Sequence, residues 1–221
     1  MSAKPAARRT VVFGASGFAQ QVAFWLEDEI AAGAPRELIG FLDDDVNRQA
    51  DRPLGLTVLG GTEWINEQSD AAALDVVVAV AAPQSRQAIV ERLAPTGIGF
   101  AGVTHPSAAL SNHYEIGRGA LIGPNAVISV NVAIGEFLLL NTAATIAHEA
   151  VIGDFVTVLP GANVAGDVHL KDRVSIGTNT AVVQGVEIGA DTVVGAGATV
   201  VSDLPAGVTA VGTPARPLTR R

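Results

Sequence analysis

A six-residue repeat dominates the second half of this chain and constrains its fold more than any other feature. Every sixth residue from Leu110 to Val200 is Leu, Ile or Val, at sixteen successive positions. A period of six matches neither the turn of an α-helix nor the two-residue alternation of a hairpin. It is the hexapeptide signature of a parallel β-helix, in which each hexad supplies one short strand and one turn. Three hexads would close a triangular coil, so the repeat predicts about five stacked coils.

The repeat also predicts which side chains face the inside of the coil. The aliphatic residue of each hexad and the residue two places before it should point inward, and the second of these is mostly small or β-branched. Gly often follows the aliphatic residue, where it permits turn conformations that a Cβ resists. A narrow interior also accounts for the scarcity of aromatic residues, with 7 Phe, 2 Trp and 1 Tyr.

The first half alternates strand-like and helix-like segments, which indicates a sheet of βαβ units. We therefore predict an α/β domain over residues 1–104 and a β-helix domain with a C-terminal tail over residues 105–221. The predicted strands are 10–13, 38–42, 74–80 and 98–103, and the predicted helices are 18–31, 62–68 with Thr62 as N-cap, and Pro83–Leu93.

Composition and charge remove several classes of function. The chain has no Cys, which excludes disulfides, a thiolate nucleophile and Cys-based metal sites. The formal net charge of −8 disfavours nucleic acid and anionic membrane surfaces as partners. No apolar run approaches the roughly 18–20 residues of a spanning helix, and the start lacks the apolar core of a signal peptide. We expect a soluble, cytoplasmic protein with no nucleic-acid or membrane partner.

Four motifs occur in a characteristic order along the chain: FGASG at 13–17, FLDD at 41–44, NTAATIAHE at 141–149 and GTPAR at 212–216. Together with the hexads they resemble the sialic acid O-acetyltransferase and nucleotide-aminosugar N-acetyltransferase family of hexapeptide-repeat acyltransferases. The resemblance extends over nearly the whole chain. It implies an α/β, Rossmann-like N-terminal half-domain followed by a left-handed parallel β-helix, with acetyl-CoA as co-substrate. Because the family's active sites lie between neighbouring β-helices, it also implies a homotrimer.

His148 and Glu149 are the candidate catalytic residues. Neither belongs to the inward-pointing set, and both should lie at or near a corner of the coil. The resemblance makes His148 the general base and Glu149 its support, and imidazole titrates near working pH, as that role requires. The alternative is that His148 is a solvent-exposed turn histidine without a catalytic role. The remaining histidines do not have the spacing of a metal site, so we expect no metal.

The resemblance further implies two binding regions. The nucleotide of a sugar substrate would bind at the strand-to-helix turn, where backbone N–H groups can hold a phosphate, and an aspartate would contact the base. Acetyl-CoA would lie along the β-helix between subunits, with the N–H of Gly166 donating to the oxyanion and a basic tail, Arg220-Arg221, near the coenzyme phosphates. Each of these positions can also be interpreted as an ordinary turn residue without a binding role. The candidates are Gly14, Ser16, Gly17, Asp43, Asp44 and Asn141 for the substrate, and Thr157, Gly166, Thr178, Gly195 and Ala196 for the coenzyme.

Four functions compete at this point. The leading hypothesis is N-acetylation of the 4-amino group of a nucleotide-linked 4-amino-4,6-dideoxy sugar, GDP-perosamine or a UDP-sugar, in polysaccharide biosynthesis. The second, from the same family, is O-acetylation of sialic acid or a related sugar. An NAD-dependent oxidoreductase is the third, although Ser16 and Ala19 replace two glycines of the dinucleotide fingerprint. A non-catalytic β-solenoid is the fourth.

Overall fold

The computed structural model describes residues 7–68 and 70–218, which form two compact units. The first unit contains the residues up to Ala81 together with Ser85–Pro106, and the second contains Ala82–Gln84 together with the residues from Ser107 onward. The predicted coenzyme contacts at Arg220-Arg221 lie outside the described residues.

The first unit is built on a five-stranded parallel sheet in the order β3-β2-β1-β4-β5. The apolar run of β4 is buried at most positions, as a parallel strand covered on both faces requires. Helix α1 buries Val22, Trp25 and Leu26 on one face. The elements are β1 Arg8–Phe13, α1 Gly17–Ala31, β2 Arg36–Leu42, β3 Val58–Gly60, α2 Thr62–Asn66, β4 Leu74–Val78, α3 Pro83–Leu93 and β5 Gly99–Phe100, with 3-10 turns at Val46–Arg48, Pro53–Gly55, Ala71–Ala73 and Ala94–Thr96.

Strand β4 ends two residues earlier than the apolar run predicts. The N–H of Ala79 still donates to the Phe13 carbonyl at 2.9 Å, but the carbonyls of Val80 and Ala81 accept hydrogen bonds from the Arg86 guanidinium at 2.7 and 3.0 Å. Arg86 is fully buried, and burial lowers the pKa of its guanidinium to about 10. Hydropathy alone cannot reveal a buried cation that draws two carbonyls away from the ladder.

The single strand predicted over residues 98–103 is wrong, because the structure has two short strands there. The ladder of β5 ends at Phe100, and β6 spans Val103–Thr104. Between them the carbonyl of Gly102 accepts a 2.6 Å hydrogen bond from the Arg36 guanidinium, which takes the place of a strand partner.

The predicted N-cap of α2 is also wrong. Helix α2 starts at Thr62 and ends at Asn66, and its N-cap is Gly61, which offers no side chain. The carboxylate of Asp44 performs the capping instead, because it accepts both the backbone N–H and the hydroxyl of Thr62 at 2.9 and 3.0 Å.

The second unit contains the predicted coil, and no long loop interrupts the hexads. Three parallel sheets form its sides: sheet I is β7-β10-β13-β16-β19-β22, sheet II is β8-β11-β14-β17-β20, and sheet III contains β9, β12, β15, β18, β21 and β23, with β24 antiparallel to β23. The strands are β7 Ala109–Leu110, β8 Tyr114–Ile116, β9 Leu121–Ile122, β10 Val127–Ile128, β11 Val132–Ile134, β12 Leu139–Leu140, β13 Thr145–Ile146, β14 Val151–Ile152, β15 Thr157–Val158, β16 Asn163–Val164, β17 His169–Leu170, β18 Ser175–Ile176, β19 Ala181–Val182, β20 Glu187–Ile188, β21 Val193–Val194, β22 Thr199–Val200, β23 Thr209–Val211 and β24 Arg216–Pro217.

The register of these sheets confirms the three-hexad coil. Thr145 pairs with Asn163 and Val151 with His169, so each residue stacks on the residue eighteen positions further along the chain. Of the sixteen aliphatic repeat positions, only Leu110 and Ile116, at the N-terminal end, are less than fully buried. The described residues contain no helix long and apolar enough to span a bilayer.

Candidate active site

Two corners of the coil carry all the candidate site residues of the second unit except Thr157. The His148 corner connects sheet I to sheet II and consists of the stacked residue pairs 112–113, 130–131, 148–149, 166–167 and 184–185. The Asn141 corner connects sheet III to sheet I and consists of residues 123–125, 141–143, 159–161, 177–179 and 195–197. Backbone hydrogen bonds stack each corner, such as Asp167 N–H to the His148 carbonyl at 2.9 Å and Gly161 N–H to the Thr142 carbonyl at 3.0 Å. Successive levels are therefore about 4.8 Å apart.

His148 and Glu149 lie side by side on the His148 corner. Glu149 has a left-handed backbone conformation, with φ of 62°, and this turn brings its carboxylate back to the neighbouring ring. Glu149 Oε2 lies 3.1 Å from His148 Nδ1, while half of the imidazole side chain remains exposed. A carboxylate at Nδ1 favours the tautomer whose proton is on Nδ1 and whose lone pair is on Nε2. Within the described residues, Nε2 has no hydrogen-bond partner, so it is available to accept a proton.

Gly166 lies one level further along the same corner, directly against the imidazole. A Cβ at position 166 would lie 2.5 Å from Cε1 and 2.8 Å from Nε2 of His148. The ring therefore occupies the space that a side chain would take. The N–H of Gly166 donates to no acceptor in the described part of the chain, so a hydrogen-bond donor is free beside the imidazole.

Asn141 lies at the opposite end of strand β13 from His148. Its side chain is 4% exposed, and its Oδ1 accepts the N–H of Thr142 at 2.7 Å. The amide nitrogen Nδ2 has no acceptor among the residues that the structure describes. One strand separates the two side chains, so a single chain does not bring Asn141 and His148 together.

The predicted coenzyme residues divide between different parts of the coil. Thr178, Gly195 and Ala196 lie on the Asn141 corner, whereas Gly166 lies on the His148 corner. Gly195 donates its N–H to the Ala210 carbonyl at 2.8 Å, and Ala196 is exposed. Thr157 lies on sheet III and is only 1% exposed. Within one chain, these residues do not line a single wall.

The strand-to-helix turn of the first unit has the geometry of an N–H cradle. Gly14 has φ of 109°, which a residue with a Cβ rarely adopts, and a Cβ there would lie 3.1 Å from the Ala79 carbonyl oxygen. Ser16 is the N-cap of α1, which begins at Gly17, and its hydroxyl accepts the N–H of Ala19 at 3.4 Å. The turn thus places the predicted residues at the carboxyl edge of the parallel sheet, where ligands of α/β folds bind.

Asp43 and Asp44 connect several segments at this edge of the sheet through hydrogen bonds and an ion pair. Asp43 accepts the N–H of Ala15 at 2.9 Å and that of Asp45 at 3.0 Å. Asp44 accepts the two Thr62 donors and forms an ion pair with Arg92. A carboxylate has about four lone-pair sites, so both side chains retain acceptor capacity after these contacts.

The family model and the solved structures that match this chain agree with one another. Residues 9–93 match the family model of the PglD N-terminal domain. The acetyltransferase domain of PglB from Neisseria gonorrhoeae FA1090, solved with acetyl coenzyme A, is 34% identical over 96% of this chain and 100% of that chain, with a TM-score of 0.86. PerB from Caulobacter crescentus, solved with CoA and GDP-perosamine, is 31% identical over 95% and 97%, with a TM-score of 0.85. WeeI from Acinetobacter baumannii AYE is 32% identical over 95% and 99%, with a TM-score of 0.86. No curated protein sequence matches the chain significantly.

The chain belongs to the hexapeptide-repeat acetyltransferases of this family. Membership confirms the fold class, a Rossmann-like α/β half-domain followed by a left-handed parallel β-helix. It also confirms the enzyme class, an acetyltransferase. The relatives PglB and PerB were solved with acetyl-CoA or CoA, the co-substrate that the resemblance implied. Neither an oxidoreductase nor a non-catalytic solenoid has support from these relatives.

The acetyltransferase also has basic residues at the carboxyl edge of its parallel sheet that sequence reasoning missed. Arg48 Nη1 lies 3.4 Å from the Ala15 carbonyl oxygen and 3.7 Å from Asp51, so its guanidinium reaches the cradle turn. Arg92 comes from α3 and lies over the ring of Phe13, 5.8 Å from its centroid. The sequence signal that could have identified Arg48 is its position shortly after residues 43–45, the acidic run that follows β2. No group of three or more His, Asp or Glu side chains within residues 7–68 and 70–218 is placed to hold a metal ion.

Proposed function

We propose that this acetyltransferase transfers an acetyl group from acetyl-CoA to the 4-amino group of a nucleotide-linked 4-amino-4,6-dideoxy sugar. The observation that carries the proposal is the pair of His148 and Glu149, whose contact leaves Nε2 free beside the open N–H of Gly166. The relatives add support for the substrate class, because PerB was solved with GDP-perosamine and the first unit resembles the PglD N-terminal domain. GDP-perosamine and a UDP-sugar are the two acceptors to test first.

The chemistry requires no covalent intermediate on the enzyme. The sugar amine attacks the thioester carbonyl carbon while His148 Nε2 takes a proton from the nitrogen. The carbonyl oxygen becomes an oxyanion, to which the Gly166 N–H would donate. Collapse forms the amide and breaks the C–S bond, and the proton held by the imidazolium passes to the departing thiolate. Glu149 would stabilise the imidazolium while it carries that proton.

Assembly as a homotrimer belongs to the same proposal. The site residues of one chain are divided between two corners that are one strand apart. A neighbouring β-helix that presents its Asn141 corner to the His148 corner would reunite the two sets. A heterologous contact of this kind closes naturally into a ring.

The test is a coenzyme A release assay over a panel of nucleotide-linked amino sugars and sialic acids. Thiol detection is free of protein background because the chain contains no Cys. We expect turnover of a nucleotide-linked 4-amino sugar and none of free or CMP-linked sialic acid; the reverse pattern would favour O-acetylation.

A substitution of the proposed base tests the mechanism. In His148→Asn, turnover should fall by about 10²–10⁴-fold, the usual contribution of a general base, while acetyl-CoA still binds. His169→Asn is the matched control, because His169 is another partly exposed coil histidine near an acid, with Nε2 3.8 Å from Asp167. Near wild-type turnover in His148→Asn would remove the general-base assignment.

A further inference from the structure

A pocket of about 470 Å³ lies on the second unit, beside the first two levels of the His148 corner. Its polar lining includes His113, Glu115 and Asn131, its aromatic wall is Tyr114, and its floor includes Ala133. Tyr114 occupies an inward position of the repeat, paired with Val132, and its ring packs partly against the end of the coil core. Val132, which also lines the pocket, points inward as well, whereas His113, Glu115, Asn131 and Ala133 are exposed, so the pocket opens to solvent.

The pocket adjoins the catalytic residues through the stacking of the corner. Asn131 occupies the level directly before Glu149, whose N–H donates to the Val130 carbonyl at 3.1 Å. The pocket therefore begins about 4.8 Å, one level, to the N-terminal side of the His148–Glu149 pair. On the C-terminal side, the space above Gly166 is taken by the imidazole itself. A group bound in the pocket would thus meet His148 from the N-terminal side.

The lining has free hydrogen-bonding capacity. Within the described residues, the side chains of Tyr114, Glu115 and Asn131 form no hydrogen bond or ion pair with one another or with any neighbour. An amide, a carboxylate and a phenol offer both donors and acceptors, which suits a ligand with several hydroxyl groups. The carboxylate of Glu115 disfavours a phosphate, because two like charges would lie close together.

The apolar floor complements this polar rim. Ala133 presents a single methyl group on the outer face of sheet II, between Glu115 and Val151 in the register of the strands. A small apolar floor with a few oriented polar groups is the usual construction of a small-molecule subsite. The C–H face of a pyranose, or the methyl group of a 6-deoxy sugar, fits such a floor.

We propose that this pocket holds the sugar ring of the acceptor, with its reactive amine directed along the corner to His148. The inference rests on the proposed function and deepens it, because it assigns a subsite for the sugar ring. Asn131 and Tyr114 bind ring hydroxyl groups, and the floor at Ala133 receives the 6-methyl group.

The main test variant is Asn131→Gly. Asn131 has φ of 57°, which Gly adopts without strain, so the change removes the amide and leaves the backbone conformation in place. Loss of about one hydrogen bond should raise the KM for GDP-perosamine, or for the best acceptor of the panel, about tenfold. The KM for acetyl-CoA should stay within twofold of wild type. Leu54→Gly is the control for the backbone change, because Leu54 is an exposed residue with φ of 52° in the first unit, outside both corners of the coil.

A second variant fills the pocket. Ala133→Leu adds bulk at an exposed strand position, so the fold should persist and acceptor KM should rise at least as much as in Asn131→Gly. If both variants keep the acceptor KM of wild type while the enzyme turns over a nucleotide-linked amino sugar, the pocket assignment is wrong and the proposed function stands. If wild type acetylates no such sugar, the proposed function itself fails and the assignment fails with it.

Discussion

The glycine at position 166 is explained by a neighbouring side chain and not by its own backbone. The glycines with φ between 68° and 113° have a backbone conformation that other residues rarely adopt, but Gly166 is not one of them. What excludes a side chain there is the His148 ring, which fills the Cβ position. Conformational preference alone would have predicted tolerance of alanine at this site.

Gly166→Ala should therefore damage catalysis more than stability. The new methyl group would lie 2.5 Å from Cε1 of His148, and the half-exposed ring can swing outward to relieve the clash. Displacement of a base by about 1 Å costs on the order of 100-fold in rate. We expect kcat to fall by that order while the thermal midpoint changes by less than a few degrees. A variant with wild-type kcat would show that the ring position is not critical.

At the residue scale, the sequence predicts contacts between neighbours in the chain but not contacts between residues that are far apart in the chain. The adjacency of His148 and Glu149 could be read directly, because neighbouring residues at a tight turn remain neighbours in space. The ion pair of Arg92 with Asp44 could not, since it joins residues that are 48 positions apart. The roles of Asp44 in capping α2 and of Arg48 beside the cradle turn depend on the same kind of distant pairing.

Elements of the coil were the most predictable part of the fold. The hexads can be recognised from the sequence alone, because every inward position of the coil requires a residue that fits the same narrow interior. Strand lengths in the first unit were less predictable. Two departures, at the end of β4 and between β5 and β6, occur where an arginine side chain binds a backbone carbonyl. In addition, β1 and β2 each begin two residues before the prediction, and β3 was not predicted.

Strand β21 offers a controlled test of the inward and outward positions. Val194 is 1% exposed and points into the coil, whereas its neighbour Val193 is 42% exposed. Val194→Ala should lower the free energy of unfolding by about 2–3 kcal/mol, through lost burial and a residual cavity. Val193→Ala, with the same chemical change on the same strand, should change it by less than about 0.5 kcal/mol. Equal effects in urea titrations would contradict the assigned orientation.

Arg86 provides the corresponding test in the first unit. Although burial lowers its pKa to about 10, the guanidinium stays protonated at neutral pH and holds the Val80 and Ala81 carbonyls. In Arg86→Met both carbonyls would lose this donor, and each buried unpaired group costs about 1–3 kcal/mol. We expect a loss of about 2–4 kcal/mol in the free energy of unfolding. Arg52→Met is the control, because Arg52 is exposed and, among the described residues, binds only carbonyls of its own loop. A comparable loss there would argue against the mechanism.

At the scale of the whole molecule, the candidate site residues are divided between two corners of the coil. Asn141, Thr178 and Gly195 lie on one corner and His148 with Gly166 on the other, and strand β13 separates Asn141 from His148. Within the described chain the Nδ2 group of Asn141 has no acceptor, which would leave it available to a ligand held between two neighbouring β-helices. We therefore expect a mass in solution of three times 22.5 kDa.

Mixed trimers test whether neighbouring chains complete one site. His148→Ala removes the base, and Asn141→Asp keeps the acceptor for the Thr142 N–H while it removes the donor Nδ2. Each variant alone should be nearly inactive. When the two chains are co-expressed with different tags and purified through both, some boundaries pair an intact His148 from one chain with an intact Asn141 from the next. Purification through both tags leaves only trimers that contain both variants, and each of these has one restored boundary in three. Coenzyme A release should therefore recover to about that fraction of wild type. If the mixed trimers stay as inactive as the parents, each site belongs to one chain, and the corner division has no catalytic meaning.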